Sequence, residues 1–115
     1  VMVMADRIRL EQVIINLLRN ALDATKDVGK PQIDLLMTAG DVATLAVRDN
    51  GHGISDEQKP RIFTPNFTTK SGGTGLGLAI CHQIVMQTGG NIYFESTVGS
   101  GASFFVRLPL EKLSV

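Results

Sequence analysis

A chain of 115 residues is long enough to bury one hydrophobic core and short for two. An apolar fraction of 43% excludes a disordered tail, and eleven basic against eleven acidic side chains leave no net charge to advertise a nucleic-acid or anionic-membrane partner. The single cysteine, Cys81, excludes an internal disulfide framework and fits a reducing compartment, no apolar run approaches the ~18–20 residues of a membrane span, and no signal-peptide pattern opens the chain. The chain starts at Val1 in mid-pattern and reads as a domain excised from a longer protein. Asp6 is a plausible N-cap for a first helix, in which Leu10, Val13, Ile14, Leu17, Leu18, Ala21 and Leu22 recur at i, i+3, i+4, i+7 spacing. This helix is expected to run to about Asp27, with Gly29 and Pro31 as its stop. Residues 33–38 and 43–48 read as strands joined by a turn at Gly40-Asp41.

A short helical stretch begins at Ser55, where Gln58 three residues on suits a capping box and Pro60 limits the length. A loop runs from Thr64 to about Gly75. The second long helix covers roughly Gly75 to Thr88, with Leu76, Ala79, Ile80, Ile84 and Val85 as its apolar face and Gly89 as its stop. Strand-like residues 91–97 and 102–108 close the chain around Gly99-Ser100-Gly101. The order helix, hairpin, helix, hairpin predicts a two-layer α/β sandwich, an α+β arrangement with helices on one face of a mixed, mainly antiparallel sheet.

Four segments carry polar or glycine-rich patterns with chemical content. Asn16 and Asn20 stand four residues apart on one flank of the first helix, and their neutral oxygens suit Mg²⁺ that shares its shell with phosphates. Two solvated Asn on a helix flank would look the same. Asp49-Asn50-Gly51-His52-Gly53 comes directly after a strand. Asp49 can accept a hydrogen bond from a ligand N–H while Gly51 and Gly53 admit close backbone approach, and an ordinary Asp-Asn-Gly turn is the alternative. Gly73, Gly75 and Gly77 lead into the second helix, where exposed N–H groups and the positive dipole end attract an anion such as phosphate. Their spacing is neither that of a dinucleotide fingerprint nor that of a P-loop. In the loop before them, Thr68, Thr69 and Lys70 can add donors and charge. Phe63 and Phe67 either close over a ligand or anchor the loop on the core. His52 is expected to be exposed and His82 superficial or half-buried. Neither joins a zinc-type cluster or a nucleophilic triad.

Taken together, these segments resemble the ATP-binding domain of sensor histidine kinases. Asn16-Leu17-Leu18-Arg19-Asn20-Ala21-Leu22-Asp23-Ala24 resembles the N box, and Asp49 to Ile54 the first glycine box. Ile62 to Lys70 resembles the F box, Gly73 to Ile80 the second glycine box, and the closing hairpin the family's last hairpin. The resemblance covers nearly the whole chain, in order and spacing. It implies the Bergerat fold of the wider superfamily, with ATP and Mg²⁺ as cofactors and phosphotransfer to a histidine. By the same resemblance Asn20 would hold the metal, and Asn16 would support the metal–phosphate cluster. Asp49 would accept from the adenine amino group, and Gly51, Gly53 and Ile54 would shape the adenine pocket. Phe67, Thr68, Thr69 and Lys70 would belong to the ATP lid. Gly73, Thr74, Gly75 and Gly77 would face the phosphates, with Leu76 and Leu78 seating the helix. Asn16 and Lys70 are the candidate catalytic residues. Hydrolytic members carry a Glu four residues before the metal Asn; Asn16 stands there instead, which argues for phosphotransfer over hydrolysis. Asn66 replaces the usual aromatic before Phe67, and Ala102 a frequent Thr.

Neither histidine has a phosphoacceptor context, so residues 1–115 are expected to be the catalytic, ATP-binding domain alone. Its expected partners are its own upstream dimerisation and phosphoacceptor domain and, indirectly, a response regulator, with no nucleic acid and no direct membrane contact. The domain is expected to be cytoplasmic, in a parent that the inner membrane can anchor. The subgroup is most like kinases of the nitrogen-regulation and dicarboxylate-sensing type. A regulatory module that holds nucleotide without chemistry, and an ATPase of the same superfamily, are the alternatives.

Overall fold

The computed structural model describes residues 4–38, 40, 42–64 and 77–109, with side chains from residue 8 onward. In chain order the elements are α1 (Met4–Ala24), β1 (Ile33–Thr38), β2 (Val42–Asp49), a 3-10 turn at Lys59–Arg61, α2 (Gly77–Gln87), β3 (Asn91–Ser96) and β4 (Ala102–Pro109). The two-layer prediction holds. The four strands form one sheet in the order β1-β2-β4-β3, and both helices lie on one of its faces. A mixed sheet was expected, and every pairing among the described residues is antiparallel.

Alternation along the strands decides which face is covered. Ala102, Phe104, Val106 and Leu108 of β4 point inward with Leu45 and Val47 of β2 and Ile92 of β3. Val13, Leu17 and Ala21 of α1 and Cys81 and Val85 of α2 close over them. Full burial of a side chain such as Phe104 or Leu17 stabilises the fold by roughly 2–3 kcal/mol. The Phe63 ring meets Phe94 and Phe104 edge-on, those two rings lie tilted against each other, and Phe63 stacks on His82 with centroids 5.3 Å apart. Phe63 therefore anchors its segment on the core, and His82 is half-buried beside it.

Several boundaries differ from the sequence reading. Helix α1 begins at Met4, so Asp6 lies within its first turn and is not the N-cap. It ends at Ala24, well before Gly29. The Thr25 hydroxyl donates to the Ala21 carbonyl at 2.9 Å, and the His52 N–H donates to the Ala24 carbonyl at 3.3 Å. These bonds satisfy terminal carbonyls from outside the helix and stop it there. Leu22, expected in the core, is 61% exposed because it lies round the helix from the buried row. On α2 the innermost residue is Cys81, which the expected face omitted. Leu78 through Cys81 are all apolar, so periodicity cannot choose among them; contact with α1 does.

Other signals hold. Gly89, at φ 79°, and Gly90 end α2 with bonds from the Gly89 N–H to Met86 and from the Gly90 N–H to Val85, a Schellman stop. The Ser55 hydroxyl accepts from the Gln58 N–H at 3.2 Å, as the capping pattern predicts, but it opens a turn and a 3-10 segment containing Pro60. No described helix is long and apolar enough to cross a membrane.

Candidate functional site

Strand β2 delivers Asp49 to the end of the sheet, where it is buried, opposite Ala102 of β4. Its Oδ1 accepts from the Gly51 N–H at 2.8 Å, which bends the chain sharply out of the strand. Asn50 fastens the other side of this turn. Its Oδ1 accepts from the Gln32 N–H at 2.8 Å, and its Nδ2 donates to the Lys30 carbonyl at 2.9 Å.

The glycines after Asp49 are required by what surrounds them. A Cβ on Gly51 would collide with the Ala24 backbone at the end of α1. Gly53 has φ 75°, and a Cβ there would strike the Thr97 carbonyl. Beyond them Ile54 enters the core, and its N–H donates to the Ser96 hydroxyl at 2.7 Å. That hydroxyl donates in turn to the Gly101 carbonyl at 2.8 Å. The Gly99 N–H donates to the His52 carbonyl at 2.9 Å. The segment 49–54 is thus wedged between the C-terminus of α1 and the β3–β4 turn. Ala24, Ser96, Thr97 and Gly101 build this wall, and the sequence reading assigned none of them to it. The Gly-Ser-Gly pattern signalled a turn but not its partner. His52 is exposed, with Nδ1 2.7 Å from the Gly53 carbonyl oxygen.

Asn16, Asn20 and Ala24 lie at i, i+4 and i+8 along one flank of α1. Since Gly51 abuts Ala24, the row of Asn side chains runs in line toward the Asp49 turn. Both Asn residues are half-buried, neither packed away nor fully solvated. The side chain of Asn16 lies against the Cys81 thiol of α2, and that thiol donates to the Val13 carbonyl at 3.7 Å. Burial pushes the Cys81 thiol up to about 11, against a smaller opposing pull from Asn16. These contacts lock the Asn flank of α1 to α2. Gly77 opens the described part of α2, and among the described residues nothing beyond its chain neighbours and its own helix backbone lies within 4 Å of where its Cβ would be. Leu78, the next residue, packs on the core.

The structure therefore brings Asp49, Gly51, Gly53 and Ile54 together at one end of the sheet, with Asn16 and Asn20 on the helix flank that leads to it. Phe67, Thr68, Thr69, Lys70, Gly73, Thr74, Gly75 and Leu76 lie outside the described residues. The Asn pair fits Mg²⁺ of the phosphate-sharing kind, since it offers neutral oxygens without a protein cage. Among the described residues no group of three or more His, Cys, Asp or Glu is placed to hold a metal by itself.

Residues 5–112 match the family described as histidine kinase-, DNA gyrase B-, and HSP90-like ATPase. The chain belongs to this family. Within it, the chain is 43% identical over 108 residues to the sensor histidine kinase ZraS of Salmonella typhimurium, covering 94% of this chain and 23% of that protein. It is 49% identical over 107 residues to the C4-dicarboxylate transport sensor protein DctB of Rhizobium meliloti, covering 91% and 17%. The fold matches the crystallised catalytic domain of histidine kinase ThkA with a TM-score of 0.79 and 39% identity, over 93% of this chain and 71% of that one. The chain is thus a histidine kinase catalytic domain of the ATP-binding type. It spans about a fifth of the length of these curated relatives.

Proposed function

We propose that this domain binds Mg-ATP between the Asp49 turn and the glycine-rich entry to α2. It then passes the γ-phosphoryl group to a histidine on a separate domain. The supporting observation is Asp49 itself, a buried carboxylate whose turn is braced by backbone from α1 and from the β3–β4 hairpin. A carboxylate so held is a fixed acceptor, and it selects a base that offers an amino group. Gly51, Gly53 and Ile54 shape the slot beside it. At the other end, Asn20 holds Mg²⁺ through its side-chain oxygen while Asn16 supports the phosphate cluster. Bound Mg²⁺ neutralises charge on the phosphate oxygens. Gly73, Thr74, Gly75 and Gly77 offer N–H donors to those oxygens, with Leu76 and Leu78 seating the helix, and Phe67, Thr68, Thr69 and Lys70 cover them.

Transfer forms a P–N bond to the acceptor imidazole and breaks the anhydride bond, with ADP leaving. No carboxylate stands at position 16 to activate water, so the domain favours transfer over hydrolysis. The 115 residues act within a longer, cytoplasm-facing kinase, which the inner membrane can anchor. Its dimerisation and phosphoacceptor domain is the direct partner and a response regulator the indirect one; neither nucleic acid nor membrane is contacted by this domain. The test is to add the parent's phosphoacceptor domain in trans with radiolabelled ATP. Acid-labile, base-stable label on the acceptor supports the reading. Steady-state phosphate release without acceptor labelling would favour an ATPase, and nucleotide binding without either would favour a regulatory module.

A further inference from the structure

Ser96 is the last residue of β3, paired with Ala102 of β4. By the alternation of the strand its side chain falls on the helix-bearing face, with those of Ile92 and Phe94. The Ser96 hydroxyl accepts from the Ile54 N–H at 2.7 Å and donates to the Gly101 carbonyl at 2.8 Å. One atom thus takes a hydrogen bond from the segment after Asp49 and gives one to the β3–β4 turn, which a hydroxyl can do because it both accepts and donates. Among the described residues this is the one side-chain hydrogen bond that joins segment 49–54 to the closing hairpin. The Gly99 N–H bond to the His52 carbonyl holds the middle of the segment and leaves the Ile54 end to Ser96.

These two bonds close a ring of contacts around the candidate base site. Gly101 lies against the Asp49 backbone, so near that a Cβ there would strike the Asp49 carbonyl. Ile54, at the other end of the segment, is buried in the core. Ser96 therefore ties Ile54 to the residue that abuts Asp49, and so sets how far apart the two ends lie. Behind them is a cavity of about 390 Å³, bordered by Arg48, Asp49, Ser96, Gly101 and Ser103. Arg48 and Ser103 alternate with inward-facing Val47 and Phe104, which places the cavity on the helix-free face of the sheet. Nothing packs against the turn from that side, so hydrogen bonds rather than core packing hold its position.

We propose that Ser96 is a positioning residue for base selection: its hydroxyl sets the spacing between the Asp49 carboxylate and Ile54 that an aminopurine needs, without touching the nucleotide. The proposal rests on the reading that the Asp49 slot holds the base of ATP. A purine ring is rigid and must meet its acceptor at Asp49 while it packs beside Ile54, so a small change in that spacing weakens one contact or the other. The phosphate end, at Asn16, Asn20 and the entry to α2, shares no hydrogen bond with Ser96. Loss of the hydroxyl therefore falls on recognition of the base and spares the phosphates and Mg²⁺.

The test is calorimetric titration of the chain with ATP and with GTP, both with Mg²⁺, alongside the exchange rate of the Ile54 amide. Ser96→Ala should lower ATP affinity about tenfold, as loss of one hydrogen bond to a buried group does, and move GTP affinity less than about twofold. The Ile54 amide should exchange about tenfold faster or more. Ser96→Thr keeps the hydroxyl and should restore both the ATP preference and the slow amide. If circular dichroism shows Ser96→Ala unfolded, Ser96→Cys, which keeps the shape with a weak donor and acceptor, carries the same expectation. A folded variant with a fast Ile54 amide and the wild-type preference for ATP would overturn the proposal. So would equal losses for ATP and GTP, the mark of general loosening, or an Ile54 amide as slow as in wild type. Absence of any ATP preference in the wild-type chain, with Asp49→Asn no different, would instead remove the base reading on which the proposal rests, and that result needs no Ser96 variant.

Discussion

Gly51 rests against the backbone of Ala24, so close that a Cβ at residue 51 would lie 2.7 Å from the Ala24 carbonyl carbon. The last residue of α1 and the turn after β2 thus share one contact, and each sets the place of the other. The neighbouring His52 N–H bonds the same carbonyl.

Gly51→Ala should therefore lower stability by about 1–3 kcal/mol, since the obstacle is backbone and cannot swing aside. Urea unfolding with unchanged slope is the check. ATP affinity should fall too, because the Asp49 turn and the end of α1 must part. A variant as stable as wild type would contradict the close approach.

Gly99 and Gly101 separate conformational strain from steric conflict. Both have positive φ, 82° and 85°, but only Gly101 faces a neighbour, the Asp49 backbone. Gly99→Ala should cost about 1–2 kcal/mol from the left-handed backbone alone, and Gly99→Asn less. Gly101→Ala should cost more than Gly99→Ala and displace Asp49. Equal melting temperatures for the two alanine variants would refute the distinction.

Asp49→Asn keeps an oxygen to accept from the Gly51 N–H but removes the carboxylate. The fold should survive while ATP affinity drops roughly 10- to 100-fold, the worth of a charge-assisted hydrogen bond. Preference for ATP over GTP should vanish with it. Calorimetry with both nucleotides decides, and an unaltered ATP preference would remove Asp49 from base recognition.

Asn20→Ala should abolish the gain in ATP affinity that Mg²⁺ confers and leave metal-free binding near wild type. Titration of ATP with and without Mg²⁺ tests this. A wild-type magnesium response would assign the metal to other groups.

The buried Cys81 thiol gives a pH signature. Folding raises it from 9.0 to about 11, so the unfolded chain loses its proton first. The associated stability is complete below pH 9 and is lost as pH rises through 11, a fall on the order of 2 kcal/mol. Cys81→Ala should flatten that part of the profile, at the cost of a small cavity. Denaturant midpoints measured between pH 8 and 11 provide the check, and parallel profiles for the two proteins would place the thiol in contact with solvent.

Sequence alone carried the local structure. The 3.6-residue recurrence from Leu10 to Ala21, the paired strands around glycine turns and the Gly89 stop each arise from backbone preference and side-chain period, which act within a few residues. The identities of Asp49, Gly51 and Gly53 were legible as a pattern for the same reason. Tertiary contact decided what those residues touch. Gly51 is small because of Ala24, Gly53 because of Thr97 and Gly101 because of Asp49, and in sequence those partners are 27, 44 and 52 positions away. Contact with α1 likewise chose Cys81 from an unbroken apolar run on α2, and Leu22 lies outside although its period matches the core. Periodicity reports a face. Which neighbour covers that face, and how far round the helix it reaches, depends on packing between elements that meet only in the folded chain.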